Sequence, residues 1–150
     1  MAISVRRLRG RPRRASTLVD LLVVLVIVGV LLGIIVPAVQ ASIARHAVAA
    51  AVRDVANLLS MARQIAATSV DGAAVDFDST TGRVRLDVSG RLVRTLDLQG
   101  QRGVRLRASR DSLAYDSRGL GIGAANLSVY LTRSQAADTL VVSRLGRVRY

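Results

Sequence analysis

Between residues 21 and 36 the chain presents only Leu, Val and Ile with two glycines, and no polar side chain interrupts them. Widened to residues 18–39, with Asp20 as its sole charge, this run has the roughly 20 residues a helix needs to cross a bilayer. The pattern then changes period. Val48, Val52, Val55, Leu59, Ala62 and Ala66 recur at 4-3-4-3-4 spacing, with Ala51, Leu58 and Ile65 beside them. Arg53, Asp54, Asn57, Ser60 and Gln64 fall mostly off that stripe, which predicts an amphipathic helix packed along one side. Together the two patterns predict helix over about residues 16–69, with a bend or local melting at Pro37 and an end at Asp71-Gly72. The alanine-rich stretch 38–51 suits close contact with neighbouring helices.

From residue 73 onward the period falls to two. Arg83-Val84-Arg85-Leu86 and Val104-Arg105-Leu106-Arg107 alternate charged and apolar positions. Thr81-Gly82, Ser89-Gly90, Gln99-Gly100, Arg102-Gly103 and Leu145-Gly146 punctuate the segments as turns. Strands are predicted at 73–78, 83–88, 91–98, 104–108, 127–132, 139–144 and 147–150. Strands of this kind have one buried and one wet face, as in an antiparallel sheet, and the amphipathic helix supplies the cover. The expected class is therefore α+β.

Charge orients the apolar run. Arg6, Arg7, Arg9, Arg11, Arg13 and Arg14 precede it, an asymmetry that is expected to keep the N-terminus cytoplasmic and send everything after Pro37 to the other side of the membrane. Asp20 is the anomaly: a carboxylate costs about 2.5–3.5 kcal/mol at the centre of a spanning helix, and less near its end, so it calls for a partner or a function. An ordinary signal peptide cut near Val39-Gln40-Ala41 is one alternative, although its apolar segment would normally be only about 7–15 residues long. A plain signal anchor carrying a β-domain is another, and it leaves Asp20 without a purpose.

The 150 residues carry 22 Arg against 10 Asp, a formal net charge of +12, with no Lys and no Glu. Loss of the six leading arginines leaves 16 basic against 10 acidic residues, or +6, so half of the basicity is topogenic. There is no cysteine, which excludes disulfides, thiol nucleophiles and Cys-ligated zinc. His46, the single histidine, reads as a spacer on the alanine-rich helix. Asp76-Phe77-Asp78-Ser79-Thr80-Thr81-Gly82 lacks the closing acid of a calcium loop and reads as a hairpin turn. Gly119-Leu120-Gly121-Ile122-Gly123 has the wrong spacing for a dinucleotide loop. The sequence presents no catalytic constellation, no metal site and no cofactor motif, so an enzyme is not expected.

Residues 15–37 resemble the prepilin-type N-terminus of type IV pilins and type II secretion pseudopilins. A cut between Ala15 and Ser16 leaves Thr17, Leu18 and Val19, then an acid at the fifth mature position (Asp20), Gly29 at the fourteenth and Pro37 at the twenty-second. Ala15, Ser16 and Asp20 stand where the family usually has Gly, Phe and Glu. The resemblance implies cleavage by a prepilin peptidase and methylation of the new amine at Ser16. It also implies an assembly role for Asp20, Gly29 and Pro37, with other pilins or pseudopilins and the membrane as partners. In that reading the Ser16 amine of one subunit pairs with Asp20 of a neighbour, and each buried charge finds its counter-ion only in register.

Three further segments resemble the GspH/FimT family of minor pseudopilins: the helix end at 58–67, the turn Tyr115-Asp116-Ser117-Arg118-Gly119, and the C-terminal run 141–149. This implies a pilin-like α+β fold: a long helical spine, transmembrane in its first half, packed by its second half on a small antiparallel β-sheet head. The domains expected are a leader at 1–15, an assembly helix at 16–37, its amphipathic continuation at 38–70 and an extracytoplasmic head at 71–150. The implied role is a low-abundance subunit near the tip of a filament that supports type II secretion. The alternative is a type IV pilus minor pilin that binds DNA. FimT-like members carry a Gly-Arg-x-Arg tail, matched here by Gly146-Arg147-Val148-Arg149, with Arg144 nearby. Arginines on phosphates would bind DNA weakly and without sequence preference.

Overall fold

The computed structural model describes residues 14–122, 127–143 and 146–150, and side chains from residue 17 onward. Most of the expected leader, including Arg6, Arg7, Arg9, Arg11 and Arg13, lies outside the described residues, as does Arg144. The chain divides into two units, residues 1–39 and 40–150.

Helix α1 spans Arg14–Thr68. In the first unit it is apolar and uncovered: the large side chains from Leu18 to Val36 are 44–66% exposed. Pro37 lies within the helix, and its neighbours keep helical hydrogen bonding, so the local melting expected there is absent. The missing Pro37 amide leaves the Gly33 carbonyl without its intrahelical donor.

In the second unit α1 becomes the central core element. Val48, Val52, Val55, Leu59, Ala62 and Ala66 are all buried, with Ala51 and Leu58, while Arg53, Asn57, Ser60 and Gln64 are exposed. The stripe read from the sequence is thus the packed face. Within the alanine-rich stretch 38–51, Ala44, Val48 and Ala51 are covered by the chain itself. At the helix end the Thr68 hydroxyl donates to the Ile65 carbonyl (2.9 Å), and Gly72 follows with a positive φ of 75°.

Two antiparallel sheets form the rest of this unit, where a single small sheet was expected. Strands β1 (Ala73–Asp78), β2 (Arg83–Val88), β3 (Arg91–Asp97), β5 (Ser112–Tyr115) and β6 (Gly121–Ile122) assemble in the order β3-β2-β1-β5-β6. Strands β4 (Arg105–Ala108), β7 (Leu127–Arg133), β8 (Ala136–Val142) and β9 (Val148–Arg149) assemble in the order β4-β7-β8-β9. Alternation along β1 buries Ala73, Val75 and Phe77, and along β7 it buries Leu127, Val129 and Leu131. These side chains join the α1 stripe in one core shared by both sheets.

The departures from the sequence reading have local causes. Gln99-Gly100 is not a turn but part of a short helix, α2 (Leu98–Arg102), which shortens β3. Asp97 caps α2 by accepting from the Gly100 amide (2.7 Å), and Gly103 closes it in the left-handed region at φ 62°. Arg102 at its end meets Asp54 on α1 at 2.7 Å. Both side chains are about one-third exposed, so the pair fixes position more than it adds stability, on the order of 1 kcal/mol or less. Strands β5 and β6 were not anticipated, β8 lies earlier in the chain than 139–144, and β9 is only two residues long.

The Asp76–Gly82 segment is a hairpin turn. The Asp78 carboxylate accepts from the Thr81 hydroxyl (2.6 Å) and from the amides of Thr81 and Thr80 (3.1 and 2.9 Å). The Thr81 hydroxyl is the main cause holding Asp78 below the ordinary carboxylate range.

Leu59 is 1% exposed at the middle of the stripe. Leu59→Ala should lower unfolding free energy by about 2–4 kcal/mol, whereas the exposed Asn57→Ala should stay within about 0.5 kcal/mol. Urea unfolding of the full chain in detergent micelles, followed by circular dichroism, measures both.

Candidate functional site

The expected functional residues fall into two groups, one in each unit. In the first, Asp20, Gly29 and Pro37 lie along α1, each exposed. Ala15 and Ser16 belong to the same helix, but their side chains are outside the described residues. Asp20 is the only charge between residues 18 and 39, and among the described residues it has no hydrogen-bonded or ionic partner. A side chain added at Gly29 or at Gly33 would meet nothing within 4 Å. Neither glycine is therefore required by the packing of this chain. Gly29, Gly33 and Pro37 follow at intervals of four, on one side of the helix, a small-residue spacing that lets apolar helices approach closely. Gly33 was missed in the sequence reading, although its interval from Gly29 carried the signal.

The second group surrounds Tyr115. The turn after β5 is tied by the Asp116 carboxylate, which accepts from the amides of Arg118 (2.9 Å) and Leu120 (2.8 Å). That turn carries Gly119 against α1, where an added Cβ would stand 3.2 Å from Arg63 Cγ. The tail is turned by Ser143, whose hydroxyl accepts from the Arg147 amide (3.2 Å) and whose carbonyl accepts from the Gly146 amide (2.9 Å). Gly146 then lies flat on the Tyr115 ring: at its φ of 72° a Cβ would sit 2.9 Å from Cε1. Glycine is required there twice over, by conformation and by space.

A cleft of about 750 Å³ opens where these parts meet, with Arg63 and Gln64 of α1 on one wall, Arg118 beside Gly119, and Arg147 and Arg149 of the tail opposite. No acid lines it, and among the described residues none of its four arginines forms an ion pair. Arg147 and Arg149 both line this cleft, together with Arg63 and Arg118. Fanned guanidinium groups without counter-ions can hold oxyanions, each by a two-pronged hydrogen bond. His46 is exposed on α1, and the described residues contain no group of three or more His or Asp side chains that could hold a metal ion.

Tyr115 is 1% exposed, and among the described residues its hydroxyl has no hydrogen-bond partner. Burial pushes it up to about 12, opposed by the nearby Arg63 guanidinium.

An α+β unit with a long N-terminal helix on antiparallel sheets defines a pilin-like fold. Two crystal structures of the Pseudomonas aeruginosa type IV minor pilin FimU share it. One, in space group P21, aligns with a TM-score of 0.60 at 14% identity, over 70% of this chain and 88% of FimU. The other, in space group P65, gives 0.55 at 14% identity, over 67% and 89%. No protein-family model and no curated protein matches the sequence.

The raised Tyr115 value gives a pH prediction. The folded state disfavours the phenolate, so this contribution to stability is complete below the ordinary value of 10.0 and lost as pH rises toward about 12. Tyr115→Phe should remove the alkaline loss and cost little at neutral pH, since the hydroxyl it deletes is unpartnered. Urea midpoints at pH 8 and pH 11 for both proteins test this.

Proposed function

We propose that the chain is a minor subunit of a pilus-like filament, of the GspH/FimT kind. It is made as an inner-membrane precursor with a cytoplasmic N-terminus and an extracytoplasmic head. Prepilin peptidase cuts it between Ala15 and Ser16, the Ser16 amine is methylated, and the helix enters the filament near its tip. The observation that carries this reading is α1 between residues 18 and 39: an uncovered apolar surface whose single charge, Asp20, has no partner in its own chain among the described residues. A plain anchor gains nothing from that carboxylate, whereas an assembling helix uses it to receive a neighbour's amine. The likeness in fold to a type IV minor pilin supports a filament subunit of this general kind.

A second reading is favoured by the arginine cleft: the tail binds DNA through Arg147 and Arg149, with Arg63 and Arg118 in the same cleft and Arg144 close by in sequence. Several guanidinium groups on phosphates give sequence-independent binding that weakens steeply with salt.

The first test is the mass of the N-terminal peptide from a membrane fraction. A peptide that starts at Ser16 with one added methyl group is the expected result; a start at Ser42 or an intact Met1 would remove the filament reading. Asp20→Ala should leave cleavage unchanged and abolish recovery of the subunit in sheared filaments, while Asp20→Glu should retain it. For the tail, an Arg147→Ala/Arg149→Ala double variant should bind duplex DNA at least tenfold more weakly at low salt. Unchanged retention on a DNA column would dismiss that second reading alone.

A further inference from the structure

The two sheets turn different chemistry outward. On β2 of the first sheet both arginines stand opposite acids: Arg83 is in register with Asp78 and Asp97, and Arg85 with Asp76. Arg83 meets Asp97 at 3.4 Å. On the other sheet, Arg105 and Arg107 alternate with the buried Leu106, opposite Thr132 and Tyr130, and no acid shares the outward positions of β4 and β7. Among the described residues neither arginine has an ionic or hydrogen-bonded partner. Tyr130, directly across from Arg107, is 45% exposed, unlike the buried Phe77 and Tyr115. A groove of about 1020 Å³ follows this edge, with Arg105, Arg107, Tyr130 and Thr132 on its floor and Ser79 and Thr80 on its rim.

We infer that this groove binds single-stranded nucleic acid, with a base stacked on Tyr130 and the adjacent phosphates held by Arg105 and Arg107. Every base offers a flat face to an exposed ring, and such stacking tolerates any sequence. The charged groups of the groove are donors only, which matches a phosphate backbone whose oxygens only accept. A glycan is a poorer fit, because its hydroxyls also donate and the groove contains no carboxylate to receive them. A duplex keeps its base faces stacked inside and leaves Tyr130 nothing to cover. This surface shares no residue with the tail cleft, so it stands apart from the second functional reading above.

Fluorescence anisotropy of a labelled oligo-dT of about twenty nucleotides, titrated with the full chain in neutral detergent, measures the binding, with the matching duplex and dextran sulfate as competitors. The single strand should bind at least tenfold more tightly than the duplex. Tyr130→Ala should weaken it about tenfold and Tyr130→Phe by no more than about twofold. Arg105→Ala/Arg107→Ala should lower the slope of log affinity against log salt by about 1.4, two phosphate contacts' worth. The single-strand preference should survive Arg147→Ala/Arg149→Ala. Unchanged binding by Tyr130→Ala, equal loss in Tyr130→Phe, or equal competition by duplex or dextran sulfate would each overturn the inference.

Discussion

One apolar stripe holds the second unit together. Val52, Val55, Leu59, Ala62 and Ala66 of α1 are almost completely buried, and both sheets share the core they define. Neither sheet could stand without them, because each would expose an apolar face to water, and a chain with no cysteine has no covalent substitute. The alternation of Val and Leu with Ala also sets the spacing. Small side chains at 51, 62 and 66 let the strands approach, while the branched ones fill the space between. Arg102 and Asp54 then tie α2 to the exposed flank of the same helix.

The same helix is satisfied in one unit and unsatisfied in the other. Before residue 40 its large Leu, Val and Ile side chains are about half exposed among the described residues. Burial of each would gain about 1.5–3 kcal/mol, so the segment is suited to lipid or to contact with other helices. Lipid meets the apolar requirement but not that of Asp20, and it gains nothing from the notch at Gly29 and Gly33. Neighbouring helices satisfy all three, which is why the filament reading explains more of the sequence than an anchor does.

Much of this was legible in the sequence because period and burial are directly linked. The 4-3-4-3-4 spacing named the buried face of α1, and period-two alternation placed β1 and β2 at their observed limits. What was missed depends on partners distant in sequence. Strand β5 exists because β1 offers it an edge, with Val75 opposite Leu113, and its four residues carry too little pattern to announce it. Gln99-Gly100 reads as a turn until the Asp97 cap and the buried Leu98 make it helical. Alternation tells which way a strand faces but not which sheet it joins. In the cleft, the Gly119 and Gly146 turns were readable, yet their meeting around Tyr115 and Arg63 was not. Arg63 looks from the sequence like any solvated helix position.

The net charge explains little until the acids are located. Half of the ten hold the fold in place. Asp54 holds Arg102, Asp71 accepts from the Ser89 hydroxyl, Asp78 closes a hairpin, Asp97 caps α2 and Asp116 ties the Tyr115 turn. A carboxylate used this way is fixed in place and cannot neutralise a cation elsewhere. Arginines on the β4–β7 face and around the tail are therefore left without an ion-pair partner among the described residues, even where Asp116 lies close in sequence, because that carboxylate is engaged by backbone amides. With screening over about 8 Å at physiological ionic strength, each cluster acts on what touches it rather than as part of one diffuse field. The +6 carried by residues 16–150 is better understood as local basic surfaces than as a property of the whole chain.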